Sequence, residues 1–101
     1  VPQAATEAEA TTGEWTLILE FQHSRSEYFE LALKQAQRLS GYSALVDENR
    51  HVVHRVLIKK AEMRRFWQLW DYVMSWSGTR VYVNGVELDK WKIYPYSQYL
   101  T

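Results

Sequence analysis

An α+β domain is the fold class this sequence predicts, and three observations carry it. An apolar segment of period two is followed by an amphipathic helical segment, β-rich runs and a second helical segment follow in turn, and an Asn-Gly pair separates two further β-rich runs near the end. At 101 residues the chain has room for one core. Apolar residues make up 47% and aromatic residues 15%, which is the composition of a packed globule rather than of a disordered chain.

Residues 1–14, VPQAATEAEATTGE, contain no aromatic and no basic residue. They are expected to form a flexible acidic tail, with the domain occupying 15–101. In EWTLILEFQ, Trp15, Leu17, Leu19 and Phe21 alternate with Thr16, Ile18, Glu20 and Gln22, the pattern of a strand, and Ile18 on the second face suits a central one. Ser24 with Glu27 three positions on predicts a capping box for a helix that closes at Gly41. Tyr28, Phe29, Ala32, Leu33, Ala36 and Leu39 form its core-facing stripe.

YSALVD and HVVHRVLIKK then read as a hairpin across the polar connector ENR. A second helix is predicted over about Ala61 to Ser77, ending at Gly78. RVYV and VELDKWKIY flank Asn84-Gly85, a strong signal for a type I′ hairpin. The order strand, helix, strand, strand, helix, strand, strand fits a ferredoxin-like βαββαβ sandwich with an added C-terminal strand, two helices lying on one face of an antiparallel sheet. Another α+β roll with the same element order is the alternative, and neither implies a function by itself.

The second helix carries an unusual apolar load. RRFWQLWDYVMSWSG holds three of the five tryptophans. On a helical wheel, Arg64, Arg65, Gln68, Asp71 and Ser75 form a compact polar arc, and the rest is apolar over roughly 220° where a helix lying on a sheet needs a little over 100°. Burial of an aromatic side chain gains about 1.5–3 kcal/mol, so this surface calls for cover. The closing segment WKIYPYSQYL could supply it from within, with Pro95 ending strand pairing, or a second copy or protein partner could supply it from outside. The expected protein interface comprises Trp67, Leu69, Tyr72, Trp76, Trp91, Tyr94 and Tyr96, which makes a protein partner or homodimer the leading expectation and a binding or assembly module the leading function.

Other chemistry is weakly marked. His23, Ser24, Arg25 and Ser26 sit where a strand hands over to a helix and form a candidate anion site. His51 and His54 on one strand would face opposite ways and so could not share a metal; His54 reads as a structural, hydrogen-bonded residue. A small-molecule enzyme or sensor would use His54 or His23 in a sheet-lined pocket with tryptophan walls. No catalytic, metal or cofactor motif is present, so no cofactor is expected and enzymatic activity is not favoured.

Arg50, Arg55, Lys59, Lys60, Arg64 and Arg65 are half of the chain's basic residues and suggest a basic stripe. With Tyr42 or Tyr82 as stacking rings on an open sheet face, this would give an RNA-binding domain. Twelve basic against twelve acidic residues, for no net charge, weigh against nucleic acid and against an anionic membrane. Cysteine is absent and no apolar run approaches a membrane span, which leads to the expectation of a cytoplasmic protein.

Overall fold

The computed structural model describes residues 16–96, with side chains through Tyr94. The expected tail 1–14, Trp15 and the final residues Tyr99 and Leu100 lie outside the described residues, as does the Tyr96 side chain. The element order is β1 (Leu17–Gln22), α1 (Phe29–Gln37), β2 (Tyr42–Val46), β3 (Val52–Ile58), α2 (Met63–Val73), β4 (Arg80–Val83) and β5 (Val86–Leu88). Short 3-10 helices occupy Lys60–Glu62 and Lys90–Tyr96.

The five strands form one antiparallel sheet in the order β2-β3-β1-β4-β5. β1 is central. Its alternation puts Leu17, Leu19 and Phe21 fully inside, joined by Val56, Val81 and Val83 from the neighbouring strands. Both helices contribute to that same core, through Phe29, Ala32 and Ala36 of α1 and Met63, Phe66, Leu69, Trp70 and Val73 of α2. The α2 set follows the spacing of a single helical stripe, so the sheet takes only part of the apolar arc.

The predicted capping box does not form. α1 begins at Phe29, and no side chain caps it. Ser24 Oγ instead accepts the amide of Ser26, and Ser26 Oγ that of Tyr28. Two consecutive serine turns carry the chain away from β1 before the helix starts, a local use of hydroxyls that competes with capping. At the other end of α1, Glu62 ties the two helices together, its carboxylate accepting from the Ser40 amide at 3.2 Å and from the Ser40 hydroxyl at 3.3 Å.

The Asn84-Gly85 turn matches its sequence signature, with φ of 51° and 80° at the two central residues and Val83 paired to Val86. The strand predicted to follow it is cut short. β5 stops at Leu88, and Asp89 then turns the chain: its carboxylate accepts from the Trp91 amide and its carbonyl from the Lys92 amide. Both bonds fold the backbone into the 3-10 segment, which sends Ile93 fully into the core. α2 is likewise shorter than predicted, because the chain leaves the helix after Val73, where the buried Thr79 hydroxyl donates to the Val73 carbonyl at 2.6 Å.

Candidate functional sites

Through Tyr94, the closing 3-10 segment, a strap at the end of the described chain, covers part of α2. Trp70 is fully buried, and its indole N–H donates to the Tyr94 hydroxyl at 3.2 Å. The same hydroxyl donates to Met74 Sδ at 3.1 Å. Trp67 is half-buried and stacks on Tyr94 with ring centroids 6.1 Å apart. Lys90 Nζ donates to the Trp76 carbonyl at 2.5 Å and fastens the start of the strap to the turn after α2.

The residues expected to form one protein interface therefore divide. Leu69 is wholly inside the core. Trp76 lies beyond the helix and packs with Phe21 and Phe29, both at 6.1 Å. Tyr72 meets Tyr28 of the α1 approach at 5.6 Å. Trp67, Tyr94 and Trp91 are left at the surface, with Tyr94 41% and Trp91 70% exposed. Residues three apart in a 3-10 helix eclipse one another, so Trp91 and Tyr94 share a side of the strap. Beside them Met63, Arg64, Trp67, Gln68 and Asp71 line an apolar groove of about 520 Å³.

The basic residues do not converge. Arg55 is on the sheet face away from the helices, 3.8 Å from Glu20. Arg50 is in the β2–β3 turn, Lys59 and Lys60 follow β3 at its other end, and Arg64 and Arg65 are on α2. Arg65 joins Arg38, Gln35 and Gln68 in a small groove of about 210 Å³ between the helices. Tyr42 is not on the open sheet face. It pairs in register with Val56 and turns toward the helices, where its hydroxyl is 2.8 Å from His54 Nδ1. Tyr82 does lie on the open face, donating to Glu20 at 3.3 Å, and burial raises its pKa.

The four residues of the candidate anion site also separate. Ser24 and Ser26 spend their hydroxyls on backbone turns, and α1 starts only at Phe29. His23 alone joins a cleft, of about 530 Å³, lined by Gln22, His23, Phe29, Leu33, Arg50, His51, Val52 and His54. All three histidines of the chain meet here. Sequence spacing puts His51 and His54 on opposite faces of one strand, but β3 begins at Val52, and His51 belongs to the β2–β3 connection, its amide donating to Asp47 Oδ1. Among the described residues no group of three potential ligands is arranged to hold a metal ion.

His54 is buried on the cleft floor, 8% exposed, between Phe21 at 5.2 Å and Phe29 at 5.9 Å. Desolvation lowers its pKa below the usual 6.5, and the nearby His23 adds to the effect. Folded His54 thus holds its proton less tightly than the unfolded residue. This contribution to stability is complete above pH 6.5 and is lost as the pH falls through the lowered folded value. Urea midpoints are expected to drop across that window, and His54→Phe is expected to flatten the drop.

No family model, curated protein or solved structure matches this chain. Among the described residues, no helix is long and apolar enough to cross a membrane.

Proposed function

We propose that the protein is an assembly module that pairs with a second copy of itself through the exposed face of α2 and the adjoining strap. The observation that carries this reading is the Trp67–Tyr94 stack beside Trp91, an aromatic surface left open on a helix whose other apolar residues pack inward. The charges flanking it are self-complementary. Arg64 and Asp71 are two turns apart on α2, with Trp67 and Gln68 midway between them. In a two-fold contact each residue meets its counterpart in exchange. Two antiparallel copies of α2 crossing at Trp67 and Gln68 bring Arg64 of one against Asp71 of the other, twice.

Sedimentation equilibrium over rising concentration tests this. The parent is expected to exceed its 12.0 kDa monomer mass, Asp71→Arg to shift the equilibrium toward monomer about tenfold or more through two like-charge contacts, and Arg64→Asp combined with Asp71→Arg to restore association. A parent that stays monomeric at all concentrations sinks the proposal.

The fold reading goes with it. With β5 set aside, the strand order β2-β3-β1-β4, with helices after β1 and β3, supports a ferredoxin-like arrangement with β5 as an added edge strand. A cytoplasmic setting is kept as part of the proposal on the strength of the cysteine-free composition. A nucleic-acid role draws less support. The open sheet face carries the Arg55–Glu20 and Arg80–Glu87 pairs, which occupy basic side chains a phosphate backbone would need.

A further inference from the structure

We propose that the cleft between α1 and the β2–β3 turn binds a small carboxylic acid with a compact apolar or aromatic body. Its floor and its rim differ in chemistry. Phe29 and Leu33 from α1 and Val52 from the start of β3 offer an apolar surface, while Gln22, His23, Arg50 and His51 edge it with polar groups. An apolar cavity with a few convergent polar side chains is the usual form of a small-molecule site, and about 530 Å³ is within the customary range.

Two of the lining side chains, His54 and Arg50, have donors to offer. Imidazole nitrogen is a better acceptor than a phenol oxygen, so the Tyr42 hydroxyl donates to His54 Nδ1. A neutral imidazole so bonded carries its hydrogen on Nε2. The Tyr42 contact thus leaves His54, a residue that lines the cleft, with an Nε2–H as its remaining donor. Arg50 adds a permanent cation, and among the described residues no carboxylate is within ion-pair distance of it. Asp47 and Glu48 of the same turn do not line the cleft. The Asp47 side chain is engaged within the turn. The Asp47 carboxylate accepts from the Asn49 and His51 amides at 2.9 Å and 2.8 Å and stands 3.7 Å from His51 Nδ1. One fixed cation and a neutral donor suit a monoanion better than a doubly charged group.

The turn that presents Arg50 points the same way. Arg50 has φ of 61°, a left-handed conformation in which glycine or asparagine would be less strained. Asp47 holds the turn in shape, its carbonyl accepting from the Arg50 amide at 3.0 Å, and from that turn Arg50 lines the cleft. Strained residues of this kind cluster where a ligand is gripped.

The experiment is an NMR titration of the full chain near neutral pH, following the imidazole signals of His23, His51 and His54. The probes are benzoate, benzylamine as a cation of similar shape, and inorganic phosphate as an anion with no apolar body. Benzoate is expected to move these signals saturably in the millimolar range. Benzylamine and phosphate are expected to leave them in place, and Arg50→Gln to weaken benzoate about tenfold with the backbone spectrum otherwise intact. A benzoate response that fails to saturate, equal binding of benzylamine, or an unchanged affinity in Arg50→Gln overturns the site. Phosphate binding as tightly as benzoate overturns the role of the apolar floor.

Discussion

Trp70→Ala is expected to lower the unfolding free energy by about 3–5 kcal/mol. Trp70 is fully buried and stacks on Phe66 at 6.0 Å. Its indole N–H is satisfied by Tyr94, a residue of the closing strap. Removing the ring opens a cavity between helix, sheet and strap, and also takes away the polar contact that helps hold the strap in place. A domain of this size commonly has about 5–15 kcal/mol in total, so the variant should be close to half-unfolded at modest urea concentrations. Tyr94→Phe separates the two contributions. It keeps the ring and leaves a buried indole N–H unsatisfied, at an expected cost of about 1–3 kcal/mol. Urea denaturation followed by tryptophan fluorescence measures both. A loss under about 1 kcal/mol in Trp70→Ala would mean that the strap and sheet do not enclose this ring.

Gly41→Ala is expected to cost at least the upper end of the usual range for overpacking, about 1–3 kcal/mol. Gly41 donates no unusual φ to the fold. Its requirement is space, because a Cβ there would overlap the Leu57 carbonyl oxygen and stand 3.0 Å from Leu57 C and Cβ. The Leu57 amide donates to the Gly41 carbonyl at 3.0 Å, so the two backbones are already locked together one step beyond the β2–β3 ladder. No side-chain rotation relieves a clash with backbone. Gly85→Ala supplies the contrast. Nothing lies within 4 Å of a Cβ at Gly85, and only its φ of +80° resists substitution, at about 1–2 kcal/mol. Thermal melts of the two variants should rank Gly41→Ala as the more damaging; the reverse order would deny the close approach of β2 and β3 at this point.

Several features of this molecule are local enough to be legible in the chain. The Asn84-Gly85 turn depends on two adjacent φ values, and the alternation of Leu17, Leu19 and Phe21 depends on a strand's period of two. The apolar excess on α2 was visible on a helical wheel, and so was the closing segment as a source of cover. Where the helices begin and end was less legible. Ser24 and Glu27 have the capping-box spacing, yet Ser24 and Ser26 bind nearer amides, an equally local choice that spacing alone does not distinguish.

The sites depend on more distant pairings. His23, His51 and His54 meet because β1 and β3 pair with Gln22 opposite Val53 and Phe21 opposite His54, which brings the end of one strand beside the start of the other. A spacing of three separates His51 and His54 onto opposite faces only within a strand, and His51 precedes β3. Tyr42 was placed on the wrong sheet face for a similar reason. An isolated short strand reveals its alternation but not which side meets the helices, and only register with Val56 sets that.

By itself, then, the sequence determined that this chain forms an α+β domain with an overloaded second helix, because periodicity, turn chemistry and side-chain size act over a few neighbouring residues. The tertiary structure decided that Leu69 and Trp70 go inward, that Tyr94 roofs part of α2 while Trp91 stays exposed, and that three histidines and Arg50 share one cleft. Those outcomes rest on strand order, register and the path of the closing segment, which bring together residues far apart in the chain.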